Sequence, residues 1–181
     1  LILLGDYIDR GERSKEVIDF IIDLTGKGFN IVTLRGNHEQ MLLDAYYDQE
    51  ELSLWFLNSG ETTLMSFGIN DIREIGKRYL DFFSGTVFYH RIRDYLFVHA
   101  GFNDLLKDPF SDNYHMIWEC RPSYSGHFFN GKMLFYMPSG TYAHVAILIR
   151  RHFQNLPHSV NQAVHTFFFF HKKSRAVSNS L

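Results

Sequence analysis

"LLGDYIDRGE", residues 3–12, sets three acidic side chains and an arginine directly behind a short apolar run. Leu1 to Leu4 is continuously apolar, the pattern of a strand covered on both faces. Charges at the mouth of such a strand need partners, and Gly5 and Gly11 mark a sharp turn in which partners could gather. Beyond the turn, Ser14 stands where it can cap a helix whose apolar residues Val17, Ile18, Ile21, Ile22 and Leu24 recur near helical spacing until Gly26 and Gly28 stop it. "NIVTL" (30–34) then reads as a second buried strand, ending at "RGNHE" (35–39). Strand, helix, strand in that order reads as a right-handed parallel crossover, so the fold class is α/β.

The rest of the chain extends this reading. Residues 39–47, 50–57 and 72–83 read as helices, and "TVFYHRI" (86–92) with "YLFVHAG" (95–101) as an antiparallel pair turning at Arg93-Asp94, with one wet face. With 181 residues, 45% of them hydrophobic, the chain can bury a sizeable core in one domain, which excludes a disordered protein. A single cysteine, Cys120, excludes an intramolecular disulfide and a thiolate metal cluster. No apolar run is long enough to cross a bilayer, and the N-terminus lacks the pattern of a secretion signal; the expectation is a cytoplasmic protein with no membrane partner.

Three polar groups of candidate ligands each follow a strand, and in open α/β sheets ligands gather at the carboxyl ends of strands. Asp6 and Asp9 follow the first strand, Asn37 and His38 the second, and His99 a later one. Taken singly, each has a plain structural role: Asp6 as a turn cap, Asp9 and Arg10 as a solvated pair, Asn37 as a turn residue, His99 as a satisfied core histidine. Taken together, carboxylate, amide oxygen and imidazole form a mixed O/N donor set suited to divalent ions such as Mn, Fe or Zn.

The spelling of these stretches is more specific still. "GDYIDRG" (5–11), "LRGNHE" (34–39) and "FVHAG" (97–101) resemble, in order and spacing, three signature motifs of the metal-dependent serine/threonine phosphoprotein phosphatases of the calcineurin-like metallophosphoesterase superfamily, bacterial and phage members included. "WFLNSGETTL" (55–64) resembles that family's Trp-x-x-Asn-Gly-Gly-x-x-Thr-Leu stretch. The resemblance covers roughly residues 1–124 and implies a β-sandwich flanked by helices. It further implies two divalent metal ions, with Asp6 bridging them and Asn37 and His99 binding the second. His38 would be the general acid, Asp9 would orient its imidazole, and Arg10 would hold the phosphate, with Asn37 also near the substrate. "MIWECR" (116–121) resembles a later family segment, which makes Arg121 a second phosphate contact. The implied substrate is a phosphorylated protein or a small phosphoester, hydrolysed by a metal-activated hydroxide. A dinucleoside polyphosphate is the alternative substrate.

Two family motifs have no counterpart here. The first, Gly-Asp-x-His-Gly, belongs upstream of the strand at residue 1, which leads to the expectation of a fragment truncated at its N-terminus. The other, a Gly-His-Thr-Pro stretch, is not found after Arg121; Gly126-His127 comes too early and His144 lacks the preceding glycine. An inactive, metal-poor binding module therefore stands as an alternative to the enzyme. Charge points to the same end of the chain: all 20 Asp and Glu lie in residues 1–119, where 11 Lys and Arg leave a net −9, whereas 120–181 holds 7 Lys and Arg and no acid. A catalytic core over 1–124 and a divergent segment over 125–181, frame-shifted or disordered, is the expected division. A basic tail resting on nucleic acid is the other reading of the charge, disfavoured because its basic residues follow no periodic face.

Overall fold

The computed structural model describes residues 1–93, 95–103 and 105–118, together with three strand segments further on. The elements run β1 (Ile2–Leu3), α1 (Ser14–Gly26), β2 (Val32–Thr33), α2 (Asn37–Tyr47), α3 (Leu52–Leu57), α4 (Gly60–Phe67), α5 (Lys77–Ser84), β3 (Tyr89–Ile92), β4 (Tyr95–Val98), α6 (Asn113–Trp118), β5 (Phe128–Phe129), β6 (Lys132–Phe135) and β7 (Ala146–Ile147). Short 3₁₀ turns at Gln49–Glu51, Ile72–Glu74 and Pro109–Ser111 join them.

β1 and β2 pair in parallel, Ile2 opposite Val32 and Leu3 opposite Thr33. Parallel neighbours require a crossover, and α1 supplies it, as the strand–helix–strand pattern predicts. β7 adds to β1 on its other edge, antiparallel. The second sheet has the order β3-β4-β6-β5, with β4 central.

Strand alternation sorts the side chains into layers. Leu3 turns to one face of the first sheet and joins a core with Val17, Ile18 and Ile21 of α1, Leu42 of α2, Trp55 of α3 and Phe83 of α5. Its neighbours Ile2 and Leu4 turn to the other face and meet Phe97 of β4, with Leu34 between them. Leu96 and Val98, on the opposite face of β4, pack on Phe102 and on Met116 and Ile117 of α6. The molecule is therefore a layered α/β structure in which one sheet faces the other and helices cover the first sheet's outer side.

Three local expectations are corrected. Ser14 does not cap α1: it is the first helical residue, Arg13 stands before it without a side-chain cap, and Ser66 Oγ of α4 instead accepts the Lys15 N–H at 2.9 Å. A helix end can be satisfied by any nearby acceptor, and here tertiary packing provides one. The helix expected over 39–47 begins at Asn37, which places Asn37 and His38 in its first turn. The expected hairpin forms, but its exposure falls on β3; β4 is buried on both faces because β6 pairs along its free edge and packing covers both sides. The segment 125–181 is described only at β5, β6 and β7; Arg121, Gly126-His127, His144 and the rest of the acid-free tail lie outside the described residues.

Candidate active site

The turn after β1 is where the chain is most constrained. Gly5 has φ +98°, and a Cβ on it would lie 2.7 Å from both the Gly36 nitrogen and His99 Nδ1. Glycine here lets the turns after β1 and β2 touch backbone to backbone, with the His99 ring from the turn after β4 pressed against them. Gly36 makes the reciprocal approach, since a Cβ on it would lie 2.7 Å from the Asp6 nitrogen and would overlap the Asp6 carboxylate. Asp6, Asp9 and Arg10 all have left-handed backbone, with φ 58°, 64° and 56°. Such conformations cost about 1 kcal/mol or more each in a non-glycine residue and persist where surrounding contacts over-determine them.

Glu39 supplies much of that determination. Fully buried in the first turn of α2, it accepts N–H bonds from Asp6 (2.8 Å) and Gly36 (2.9 Å) on Oε2 and from Tyr7 (2.7 Å) on Oε1. One carboxylate thus staples the first turn to the second. Burial, reinforced by the charge of Asp6, pushes the Glu39 carboxyl up to about 7, and the backbone donors oppose the shift. Tyr7 ties the same turns from below: its hydroxyl accepts from Gly5 N–H at 3.0 Å and lies 2.8 Å from the Leu34 carbonyl, to which it donates.

Asp9 is the second node. Oδ2 lies 2.6 Å from His38 Nδ1 and receives Trp55 Nε1–H at 3.0 Å, while Oδ1 receives the Thr63 hydroxyl at 2.6 Å. The Asp9 N–H in turn donates to Thr63 Oγ1 at 2.9 Å. Both His38 and Asp9 are buried. Burial by itself lowers the His38 pKa, but the hydrogen bond to Asp9 and the charges of Asp6, Asp9 and Glu39 outweigh it, so the imidazole titrates above its ordinary value.

Asp6 and His99 form the third part. His99 Nδ1 lies 2.6 Å from the Leu4 carbonyl, which can only accept, so Nδ1 carries a proton, and in the neutral imidazole Nε2 presents a lone pair. That lone pair faces Asp6 Oδ1 at 3.4 Å. Asp6 Oδ1 is buried and has no hydrogen-bond partner among the described residues. Two acceptors facing each other at that distance repel unless a positive charge lies between them, and an orphaned buried carboxylate oxygen is a strong departure from ordinary satisfaction. A divalent cation fits the pair. Asn37 follows Gly36 directly and opens α2. Among the described residues no group of three His, Cys, Asp or Glu side chains is placed to hold a metal ion.

Asp6, Asp9, His38 and His99, expected from three separate strand ends in the sequence, thus meet around one group of touching turns. Arg10 lies on the first of these turns and is exposed. Glu39, Trp55 and Thr63 were given no role by sequence reasoning. Glu39 had a local signal, an acidic residue at the third helical position reaching back to the residue before the helix. Trp55 and Thr63 had only their membership of the 55–64 stretch, for their contacts to Asp9 cross 46 and 54 residues. No helix among the described residues is long and apolar enough to cross a membrane. A family model described as calcineurin-like phosphoesterase matches residues 1–143.

Proposed function

The chain belongs to the calcineurin-like phosphoesterase family, and from that premise we propose that it hydrolyses phosphomonoesters, with phosphoserine and phosphothreonine side chains of proteins as the substrate class. The observation that carries the reading is the buried pair of Asp9 and His38, set in the same touching turns as an unsatisfied Asp6 oxygen. In the overall step the oxygen of one water forms a bond to phosphorus. The ester P–O bond breaks with its electron pair on the leaving oxygen, and a proton completes the alcohol.

His38 is the donor of that proton in this reading. Its Nδ1–H is held by Asp9, which leaves Nε2 to carry the proton that the leaving oxygen needs; the proton lost by the attacking water restores the imidazolium. The raised pKa keeps more of the imidazole charged near neutrality, the state a general acid requires. Arg10, exposed beside Asp9, would grip two phosphate oxygens with its planar fork, a contact lysine cannot copy. Asp6, His99 and Asn37 would hold divalent metal, which when bound neutralises phosphate charge and lowers the pKa of water. Arg121 as a second phosphate contact remains a proposal from the sequence alone. So does the division at residue 124.

The test is phosphate release by this chain, with Mn²⁺ added, from a phosphoserine peptide and from diadenosine tetraphosphate. Turnover of the peptide that falls by about 10² to 10⁴ in His38→Asn supports the reading. Hydrolysis of the dinucleotide with none of the peptide, or peptide turnover untouched by His38→Asn, overturns it.

A further inference from the structure

The proposed function uses the oxygen of Asp9 that faces His38 and leaves the rest of that carboxylate unexplained. A lone carboxylate can rotate about its Cβ–Cγ bond and offer His38 either oxygen, or neither. Here every direction but one is taken. The Asp9 N–H occupies Thr63 Oγ1 at 2.9 Å, so the hydroxyl's own proton must point elsewhere. Its two choices are Asp9 Oδ1 at 2.6 Å and Ser14 Oγ at 3.4 Å, and the shorter bond to a charged acceptor wins. Trp55 Nε1–H meanwhile binds Oδ2, the oxygen that faces His38 Nδ1. Trp55 and Thr63 come from neighbouring helices, α3 and α4, joined by Asn58 and Ser59, with Gly60 opening α4. A Cβ on Gly60 would lie 2.8 Å from Trp55 Cγ and overlap the indole further, so glycine is what lets α4 close onto the ring.

We propose that Thr63 and Trp55 are positioning residues for proton delivery by His38: by donating one bond to each oxygen of Asp9 they lock the single carboxylate rotation in which Oδ2 holds Nδ1–H and Nε2 is aimed at the leaving oxygen. The inference rests on the reading of His38 as the acid, and it gives the 55–64 stretch a task that the proposed function did not. A positioning role predicts a particular pattern of damage. An oxygen whose conjugate acid is already strong leaves without a proton, whereas a poor leaving group needs one in the transition state.

The experiment compares kcat on 2,4-dinitrophenyl phosphate, a good leaving group, with kcat on phenyl phosphate, a poor one, for the full chain with Mn²⁺. Thr63→Val should lose about 10-fold on phenyl phosphate and less than about 2-fold on the dinitrophenyl ester, Trp55→Phe should show the same selectivity, and Thr63→Ser should return to wild-type values. Equal losses on both esters, or a Thr63→Ser variant as impaired as Thr63→Val, mean a merely structural role and overturn the proposal. His38→Asn separates the two layers: selectivity in His38→Asn with none in Thr63→Val and Trp55→Phe overturns this inference alone, and no selectivity in His38→Asn overturns the acid reading beneath it. A second readout needs no turnover. Of the two indole N–H resonances, that of Trp55 should shift in Thr63→Val while that of Trp118 stays, because the carboxylate it binds has turned. An unmoved Trp55 resonance shows that Asp9 keeps its orientation without Thr63 and overturns the proposal.

Discussion

Asp6 and Asp9 stand at the two ends of one turn, both in left-handed backbone, and they are wired in opposite ways. Around Asp9, three side-chain donors converge on two oxygens, and its own N–H closes a ring through Thr63. Around Asp6, the backbone N–H is secured by Glu39, yet Oδ1 is buried without a hydrogen-bond partner among the described residues and faces His99 Nε2 at 3.4 Å. Removing donors from a buried carboxylate costs stability, and folding does not reward leaving one bare. The difference supports our proposal that one carboxylate holds the protein's own groups while the other is held open for a cation.

Exchanging each carboxylate for its amide breaks or sharpens that contrast. The largest effect is expected for Asp6→Asn on catalysis: a fall of about 10³-fold or more in Mn²⁺-dependent turnover, several kcal/mol of lost charge stabilisation, measured with p-nitrophenyl phosphate. Its unfolding free energy in urea should hold or rise, because the new amide N–H can donate to His99 Nε2. Asp9→Asn should do the reverse in stability. One of its atoms becomes a donor set against Trp55, His38 or Thr63, and about 3 kcal/mol of unfolding free energy should be lost by the same urea titration. If the two variants are equally destabilised, the contrast fails.

Smaller effects test how the Asp9 side is assembled. Ser59 precedes α4 with φ 72° and ψ 29°, a left-handed conformation, at a position where the motif resembled by residues 55–64 has glycine. Ser59→Gly should relieve the strain and raise the unfolding free energy by about 0.5 kcal/mol, net of glycine's greater freedom in the unfolded chain. Smallest of all is a half-exposed ion pair, the counterpart to the buried His38 and Asp9. Lys15 Nζ lies 2.6 Å from Asp19 one helical turn away, beside the Tyr79 ring of α5. Lys15→Met should cost about 0.3–0.5 kcal/mol at neutral pH. Partial burial pushes the Asp19 carboxyl up, but hydrogen bonds from Lys15 and Tyr79 carry it below its ordinary 3.8. A depressed folded value means stability present above pH 3.8 and lost as pH falls through the folded value, so wild type and Lys15→Met should converge in acid.

Much of this arrangement could be read in the sequence, and its limits are physical. Apolar runs and glycines located β1, α1 and β2, because burial and turn chemistry act within a few residues. Asp6, Asp9, Asn37, His38 and His99 could be picked out since each follows a strand with a metal- or proton-handling side chain. Trp55 and Thr63 could not be given their task that way: a hydrogen bond from α3 or α4 to Asp9 depends on how distant elements pack, and no spacing along the chain encodes it. α4 itself went unread because its eight residues include Thr62 and Thr63 and start behind a left-handed serine, a beginning that helix-start signals do not describe. The cap of α1 was misassigned to Ser14 for a similar reason, Ser66 having reached it from across the core.

The central claim is that the turns after β1, β2 and β4 converge so that Asp6, Asn37 and His99 can hold a cation beside the Asp9 and His38 pair. Its most direct test is a crystal of the chain grown with Mn²⁺, with anomalous diffraction used to locate the ion. The account predicts a Mn²⁺ peak within bonding distance of both Asp6 Oδ1 and His99 Nε2, gone in Asp6→Asn. A lattice with Mn²⁺ bound elsewhere on an intact fold, and nothing between those two atoms, would contradict it.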